Sequence, residues 1–448
     1  MTSRSPNLSS DIHSLLHKKL DALLADCDLV AESSAHGKML DDLDQFFFTK
    51  GRAFLREALQ AKLQERIEHA EQTAETKECP DCKKKVHTQD SVPKDTVSLH
   101  GGVTLNRRYR RCVGCKQYSY PVDAIIGLDT GYTTGVTEFV SYTVGLVSYR
   151  QAQSTLGKLC QIHLSHETIG EIAVRSAGNL ATAMEITPDL RAEFQKAVGE
   201  TEFQMDGTSV NTRNEEGKAE WREMKLFAFL KRRCGLGVSV PDWESRYLPA
   251  PSMVYAFAEI IDKAGFQKRV DATRRQLGVG GITSALGDGA KWLWNIVFDV
   301  FGKTDECLDF YHAAEHLSDC GKVLFSTKDA FDPWFDRMRL VLLSEGFSGI
   351  DRELQALSSL TKTQRTSVES LRHYLRSNAD RLNYAERLMK GRSIGSGLIE
   401  GACKSMVGKR LKQTGACWRV ERANKIAILA SLLHSEQWDN AWKIPGKV

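Results

Sequence analysis

The sequence predicts a multidomain α/β protein. Its 448 residues exceed a single module, since globular domains average roughly 150 residues. Three strand-like runs follow one another at 202–210, 223–230 and 253–261, and two more, at 282–287 and 306–310, alternate with helical stretches. Strands first in succession and then alternating with helices are typical of an α/β domain with a mixed sheet. Helical spacing of apolar residues dominates both ends of the chain.

Composition limits the class of protein. Lys and Arg number 61 against 57 Asp and Glu, a net charge of +4, so contact with nucleic acid would depend on local clusters. Eleven cysteines cannot all pair within one chain and indicate a reducing compartment or a metal site. The first 14 residues contain no apolar run typical of a secretory signal, and no apolar stretch approaches the roughly 20 residues that span a bilayer. We therefore expect a soluble cytoplasmic protein without a membrane partner.

Residues 1–78 are expected to form an N-terminal helical region. Apolar residues recur there at spacings of three, four and seven, first from Leu15 to Leu24 and again from Phe46 to Leu63. This periodicity is typical of amphipathic helices.

Residues 79–125 are predicted to form a zinc ribbon. Two C-x-x-C pairs, Cys79 with Cys82 and Cys112 with Cys115, can each present two thiolates on one side of a tight loop and together complete a tetrahedral site for one structural Zn²⁺. Alternating runs at 96–99 and 103–106 flank His-Gly-Gly at 100–102 and predict a hairpin between the pairs. Four unrelated thiols are one alternative. A redox role is another, which is disfavoured because neither pair lies in a βαβ context.

Two features predict contact with DNA before the sheet begins. Four arginines beside the second C-x-x-C pair can meet phosphates; they are Arg107, Arg108, Arg110 and Arg111. Residues 126–196 contain a helix from about Ser148, a polar turn, and a second helix that Ser165 and Thr168 can cap. In a helix-turn-helix the second helix enters the major groove. An ordinary helical hairpin is the alternative.

Three carboxylates occur at the ends of predicted strands and helices. Asp206 interrupts an apolar strand, Asp288 lies between two glycines after a later strand, and Glu400 lies in the first turns of a helix that then becomes basic. Three such groups can converge on two divalent cations about 4 Å apart, which activate a water or a 3′-hydroxyl and stabilise the leaving oxygen. Hard carboxylate oxygens favour Mg²⁺ or Mn²⁺. Taken alone, an Asp at a strand end is more often a turn residue.

The chain resembles the insertion-sequence DDE transposases, most closely the Kra-type subgroup of bacterial insertion sequences. The matching segments, within about residues 79–442, are the two C-x-x-C pairs with the intervening Arg-Arg-Tyr, MDG at 205–207, GDGAKWLWN at 287–295, DFYHAAEHL at 309–317 and GSGLIEGACKSMVGKRLKQTGACW at 395–418. The resemblance implies an RNase H-like catalytic core at 197–312 and 391–448, interrupted by an all-helical insertion at 313–390. It also implies that Asp206, Asp288 and Glu400 hold two Mg²⁺ or Mn²⁺ ions, with His312 near the scissile phosphate.

The implied activity is DNA cleavage at transposon ends followed by strand transfer. The partners would be double-stranded DNA, both the terminal repeats and the target, and we expect a dimer or larger assembly on that DNA, because two ends must be held together. Basic residues after Glu400 are expected to bring phosphates to the metals, and Trp294 to stack on an unpaired base. The basic residues are Lys404, Lys409, Arg410, Lys412 and Arg419. A solvated basic face and a packed tryptophan are the alternatives.

Three other functions fit parts of the sequence. His312, Glu315 and His316 match the H-x-x-E-H pattern of inverted zinc peptidases, although the carboxylate set explains more residues. A DNA-binding regulator would use the zinc ribbon and the helix-turn-helix while the catalytic core is inert; the intact carboxylates weigh against it. A nuclease of the same fold would cleave DNA without strand transfer.

Overall fold

The computed structural model of the chain describes residues 8–73, 78–79, 81–128, 130–184 and 188–443. The expectation that the chain lacks a signal sequence concerns residues 1–14, of which residues 1–7 lie outside the described residues. Contacts divide the chain into two compact units: unit 1 contains 1–144 and 148–173, and unit 2 contains 145–147 and 174–448. None of the helices in the described ranges is both long enough and apolar enough to cross a membrane.

Unit 1 combines helices with a small antiparallel sheet. Its helices are α1 (Leu8–Ser33), α2 (Met39–Phe46), α3 (Arg52–Thr73), α4 (Pro121–Ile126), α5 (Thr134–Leu146), α6 (Tyr149–Cys160) and the first part of α7 (His166–Met184), with a π-helical turn at Phe47–Gly51 between α2 and α3. Its strands are β1 (Val86–Ser98), β2 (Gly101–Cys112) and β3 (Tyr118–Ser119), paired in that order. The helices predicted for the N-terminal region are therefore confirmed as α1 to α3.

Alternation along β2 determines which face of this sheet is covered. Val103 and Leu105 are buried, whereas Thr104 and Asn106 between and after them are exposed. The buried pair packs with Ile67 of α3, which is fully enclosed. Because successive strand side chains point to opposite faces, the order of apolar and polar residues in β2 sets the face that α3 covers.

The predicted hairpin is confirmed, but its turn is shorter than expected. Gly101 and Gly102, expected in the turn, pair with Ser98 and Val97 inside the sheet, which leaves only residues 99–100 as the turn. Gly101 adopts a φ of 112°, a value that glycine reaches without side-chain strain. This freedom lets β2 begin directly after a two-residue turn.

The predicted pair of capped helices in residues 126–196 is also present. Ser148 and Gln151 form a capping box at the start of α6. At the start of α7, the Ser165 hydroxyl accepts a hydrogen bond from the backbone N–H of Thr168 at 3.2 Å. Residues 161–165 form the turn between the helices. DNA binding by α7 stays a prediction.

Unit 2 is built on five strands and many helices. The strands are β4 (Glu200–Arg213), β5 (Ala219–Arg232), β6 (Met253–Glu259), β7 (Ser284–Gly287) and β8 (Asp305–Leu308). The helices are α8 (Pro188–Lys196), α9 (Lys263–Gln276), α10 (Lys291–Phe301), α11 (Phe310–Leu324), α12 (Lys328–Gln355), α13 (Lys362–Ser377), α14 (Tyr384–Met389), α15 (Gly397–Ala402), α16 (Lys409–Leu411), α17 (Val420–His434) and α18 (Trp438–Trp442). Short 3₁₀ turns at Trp243–Ser245 and Ala379–Arg381 and a π-helical turn at Cys403–Gly408 complete the unit.

The predicted mixed sheet is confirmed. Its order is β6-β5-β4-β7-β8; β6, β5 and β4 pair antiparallel, and β4, β7 and β8 pair parallel. Phenylalanines from neighbouring strands pack in its core, and the ring centroids of Phe203 and Phe229 lie 4.8 Å apart. Residues 224–230 of β5 are all buried, which is typical of a central strand that is covered on both faces.

The strand predicted at 306–310 ends earlier than expected. β8 stops at Leu308, and Asp309 caps α11 by accepting a hydrogen bond from the His312 backbone N–H at 2.9 Å. Phe310 therefore begins a helix, because an Asp at the N-cap satisfies a backbone donor that a strand would pair differently. The expected boundary between residues 312 and 313 falls inside α11.

Most of the segment 313–390 is helical, as predicted, and α11 to α14 share an apolar core. The C-terminal end, where helical spacing also dominates the sequence, is not one continuous helical block. At residues 412–419 the chain runs beside β4, where the Trp418 backbone N–H donates to the Asn211 carbonyl at 3.0 Å. Gly415, with a φ of 78°, allows the chain to leave the helical path there.

Two leucines of α12 test the helical core. Leu342 is fully buried in it, whereas Leu340 is 40% exposed. We expect Leu342→Ala to destabilise the protein by about 2–5 kcal/mol because it leaves a cavity, and Leu340→Ala by about 0.5 kcal/mol or less. Thermal unfolding of the full chain measures both, and equal losses would contradict the packing of this face.

Candidate functional site

The two C-x-x-C pairs come together in unit 1. The thiol sulfurs of Cys79 and Cys115 lie 3.7 Å apart, and those of Cys82 and Cys112 lie 3.3 Å apart. All four sulfurs lie within 4.8 Å of one another. Four thiols at this spacing can hold a structural metal ion such as Zn²⁺ in a tetrahedral site.

The same local backbone geometry forms both cysteine turns. The residue after each pair is a lysine in the left-handed region, Lys83 with a φ of 58° and Lys116 with a φ of 62°. In each turn the first cysteine donates its backbone N–H to a carbonyl five residues ahead, at 2.8 Å for Cys79 and 3.0 Å for Cys112. Antiparallel pairing of β1 with β2 then returns the second turn to the first.

The thiols differ in their readiness to ionise. Burial would raise the pKa of Cys112, but hydrogen bonds from the backbone at Cys115 and Gly114 and from the Cys82 thiol lower it to about 6. The pKa of Cys115 rises to about 12: a hydrogen bond from the Gln117 backbone would lower it, but burial and the three neighbouring thiols outweigh that effect. Repulsion among thiolates at one point is what a bound divalent cation relieves.

The arginines beside this cluster do not all face solvent. Arg107 is buried at 6% exposure, donates from its guanidinium to Asp123 at 3.1 Å and lies over the Tyr120 ring. The expectation that Arg107 meets phosphates is therefore wrong, because its charge is already paired inside unit 1. Arg108 and Arg111 are exposed and Arg110 is half-buried, so contact of these three with DNA stays a prediction.

The carboxylates meet at one edge of the sheet in unit 2. β4 and β7 are parallel neighbours, and Gln204 pairs with Leu286. Asp206 and Asp288 each follow two residues after that pair, so their side chains leave the same edge of the sheet on adjacent strands. The backbone N–H of Gly207 donates to Asp206 Oδ1 at 2.7 Å, and that of Ala290 donates to Asp288 Oδ1 at 2.9 Å.

Two hydrogen bonds, one buried and one part-buried, position Glu400 beside them. The backbone N–H of Ile399 donates to the side-chain oxygen of Gln204 at 3.0 Å, which attaches α15 to β4 next to Asp206. One helical turn further, the Cys403 thiol donates to Asp206 Oδ2 at 3.4 Å. Gln204 is fully buried, and its role is to hold α15 against β4. Sequence reasoning missed it, and its signal is a glutamine between Phe203 and Met205 in β4.

Asp309 joins the helices that carry His312 and Glu400. Its Oδ1 caps α11 at His312, and its Oδ2 accepts hydrogen bonds from both the hydroxyl, at 2.6 Å, and the backbone N–H of Ser396. It is 1% exposed. The sequence singled out Asp309 only as part of a pattern with His312, and its double attachment follows from the fold.

Burial is the main influence on the ionisation of the carboxylates at this edge. Burial, reinforced by the negative charge of Asp288, raises the pKa of Asp206. Burial, reinforced by Asp309, raises the pKa of Glu400. Three carboxylates held near one another fit the hard oxygen ligands of Mg²⁺ or Mn²⁺. Within the described ranges only the four cysteines bring three such ligand atoms within 4.8 Å, so Asp206, Asp288 and Glu400 do not form an equally compact group.

Several expected DNA contacts lie near Glu400, and two are corrected. Trp294 is 4% exposed with the Arg381 guanidinium 4.5 Å from its ring centroid, so it cannot stack on a base. Arg410 is 2% exposed and lies over the Trp418 ring, so it does not face DNA. The exposed residues of the set are Lys404, Lys409, Lys412 and Arg419.

The H-x-x-E-H pattern does not assemble a metal site. His316 packs its ring against Tyr374 with centroids 3.9 Å apart, and burial lowers its pKa. In the part of the chain that the structure describes, the ligand atoms of His312, Glu315 and His316 do not all lie within 4.8 Å of one another. His316 is thus a packing residue of α11.

Removal of one thiol tests the cysteine cluster. We expect the purified chain to contain about one Zn²⁺ and Cys112→Ser to lose it, because three thiolates leave the tetrahedral site incomplete. Elemental analysis after dialysis measures the change. Cys27→Ser is the matched control and should retain the metal; equal zinc content in both variants would refute the site.

The raised pKa of Asp206 predicts a pH-dependent effect on stability. A carboxyl group whose pKa is raised in the folded state contributes to the free energy of unfolding at low pH, and this contribution is lost as the pH rises through the folded-state pKa. In a chelator near pH 7, Asp206→Asn should therefore raise the thermal unfolding midpoint, and the gain should shrink as the pH falls toward about 4.

The exposed Asp299 of α10 supplies the control for this measurement. Asp299→Asn should leave the midpoint nearly unchanged at every pH, since a solvated carboxylate loses little on folding. A lower midpoint for Asp206→Asn near pH 7 would show that the Asp206 carboxylate stabilises the fold, contrary to the electrostatic interpretation.

Comparison with known proteins adds no relative. No protein-family model matches the chain, and no curated protein sequence matches it. The geometry of the cysteine cluster and of the carboxylate edge therefore carries the functional interpretation.

Proposed function

We propose that this chain is a DDE-type transposase of a bacterial insertion sequence. It would bind terminal inverted repeats, cleave DNA strands with two metal ions and join the freed ends to target DNA. The observation that carries the proposal is the placement of Asp206 in β4 and of Asp288 directly after its parallel neighbour β7, with the helix of Glu400 attached to β4 through Gln204.

The architecture around these residues supports the proposal. An RNase H-like core would supply a mixed sheet with carboxylates at neighbouring strand ends, and unit 2 has a mixed sheet in which β4 and β7 carry them. Helices α11 to α14 come between β8 and α15 in the chain. They would correspond to the helical insertion that the transposase resemblance implies.

The chemistry at the edge follows from its donor set. Mg²⁺ or Mn²⁺ ions held by Asp206, Asp288 and Glu400 would activate a water or a 3′-hydroxyl and stabilise the leaving oxygen. His312 is half-buried in the first turn of α11, and its backbone is fixed by Asp309. From there it can donate a hydrogen bond to a phosphate oxygen.

Exposed cations continue from this edge and would hold the DNA backbone. Lys412 donates to the Thr208 hydroxyl, two residues beyond Asp206 in β4. Lys404 lies 3.8 Å from Glu400 with 80% of its side chain exposed, an ion pair too solvated to hold it strongly. Such lysines can exchange a carboxylate for a phosphate at little cost.

Unit 1 would supply recognition of the transposon ends. The zinc ribbon presents the exposed Arg108 and Arg111, and the capped helix α7 would enter the major groove. A dimer or larger assembly would hold two ends on the nucleoid in the cytoplasm.

Substitution of each carboxylate tests the catalytic assignment. With Mg²⁺ and cognate terminal-repeat DNA, Asp206→Asn, Asp288→Asn and Glu400→Gln should each reduce strand joining by about a thousandfold or more, because transition-state charge loses its metal support. Gel assays of joining, with DNA binding measured in parallel, distinguish lost chemistry from lost binding. Asp299→Asn should join normally.

Two outcomes would change the proposal. Full joining by Asp206→Asn would show that this edge has no catalytic role. Cleavage of terminal-repeat DNA by the unaltered chain without any joined product would favour a nuclease.

A further inference from the structure

A cleft of about 490 Å³ opens beside the carboxylate edge in unit 2. The cleft is lined by Arg232 at the end of β5 and by Glu244 and Arg246 in the connection between β5 and β6. Tyr311 of α11 also lines it. Residues 393–398, which lead into α15, complete the wall. The cleft is large enough for a ligand of small-molecule size.

The cleft borders the residues that position Glu400. A side chain at Gly395 would meet the Tyr311 ring at 2.8 Å and Asp309 Oδ2 at 3.5 Å. The absence of a side chain there lets Tyr311 and Asp309 both pack against the backbone before α15. The cleft therefore adjoins the carboxylate edge through Asp309.

Two arginines in the cleft have no carboxylate partner. The Arg246 guanidinium donates to the Trp243 carbonyl at 2.8 Å and to the Tyr311 hydroxyl. Arg232 donates to the Pro249 carbonyl at 3.3 Å, and its buried Nε has no hydrogen-bond partner among the described residues. In the described ranges no acid lies within 4.0 Å of either guanidinium, although Arg232 acts on the buried Glu202 at longer range.

The one acid of the lining is already compensated. Glu244 lies 3.6 Å from the Arg339 guanidinium, so the cleft keeps a positive potential. A group with two anionic oxygens is the natural partner of unpaired guanidinium groups, and phosphate fits their planar donors.

An exposed aromatic ring stands beside these charges. Tyr311 is 48% exposed, and Phe310 supports it edge-to-face with ring centroids 5.6 Å apart. A ring fixed in this way can stack on a base, but only on a base whose face is free. Inside a duplex both faces of each base are covered by neighbours, whereas the bases of a single-stranded end can turn a free face to the ring.

We propose that this cleft binds one unpaired nucleotide of a DNA strand, with Arg232 and Arg246 on its phosphate and Tyr311 stacked on its base. The identity of the strand rests on the proposed function: it is the strand whose next phosphate reaches Asp206 and Asp288. Neither arginine nor Tyr311 takes part in the chemistry, so all three are binding residues.

Binding in a chelator separates this proposal from catalysis. The probes are two labelled duplexes of one sequence, one blunt and one with a short single-stranded end, and fluorescence anisotropy measures their affinity for the full chain. Arg246→Gln should weaken binding of the tailed duplex about tenfold and lower its salt dependence by about one ion. Tyr311→Ala should weaken it about tenfold, whereas Tyr311→Phe should bind almost normally because the ring is kept.

Controls make the result decisive. Arg246→Gln and Tyr311→Ala should leave binding of the blunt duplex unchanged. Arg275→Gln, at an exposed arginine of α9, should leave binding of both duplexes unchanged. Equal weakening of both duplexes, or unchanged binding of the tailed duplex by folded Arg246→Gln and Tyr311→Ala, would overturn the proposal. The binding assay contains a chelator and therefore does not depend on catalysis. Failure of the unaltered chain to join strands in the separate assay with Mg²⁺ would count against the proposed function alone.

Discussion

The parallel pairing of β4 with β7 is the constraint on which unit 2 depends. Its register sets Gln204 opposite Leu286, and this brings Asp206 of β4 near Asp288, the residue directly after β7. Carboxylates in that position repel, and the raised pKa of Asp206 records the repulsion together with burial. A cation held by these carboxylates, as the proposed function requires, would relieve that repulsion.

The groups around the pair divide by burial into fixed and adjustable ones. Gln204 and Asp309 are enclosed, and each is hydrogen-bonded to the backbone at the start of α15. Lys404 and Lys412 reach into solvent at the ends of long side chains. Buried hydrogen bonds hold geometry to fractions of an ångström, whereas solvated lysines follow a ligand. Glu400 is thus placed by neutral or capping groups, whereas the lysines near it are held only by solvent-exposed contacts.

The sequence predicted elements well and side-chain environments less well. Apolar periodicity located all five strands of the mixed sheet, and C-x-x-C spacing predicted a cluster that the sulfur positions confirm. Whether an arginine or tryptophan faces solvent depends on partners distant in sequence. Arg107 pairs with Asp123, and Trp294 lies under Arg381; neither partner has a fixed spacing that a pattern could reveal. Asp309 was hidden for the same reason, since its second partner is 87 positions away.

The attachment of Ser396 to Asp309 joins two parts of the chain that are far apart in sequence. Beside it, the backbone N–H of Phe310 donates to the Ile394 carbonyl at 2.9 Å, so the points where the chain leaves the sheet and returns to it are joined directly. Everything between, α11 to α14, is a closed excursion whose base is fixed independently of its length. Since loop-closure entropy changes slowly with length, helices can be gained or lost in that excursion over evolution while Glu400 keeps its place against Asp206.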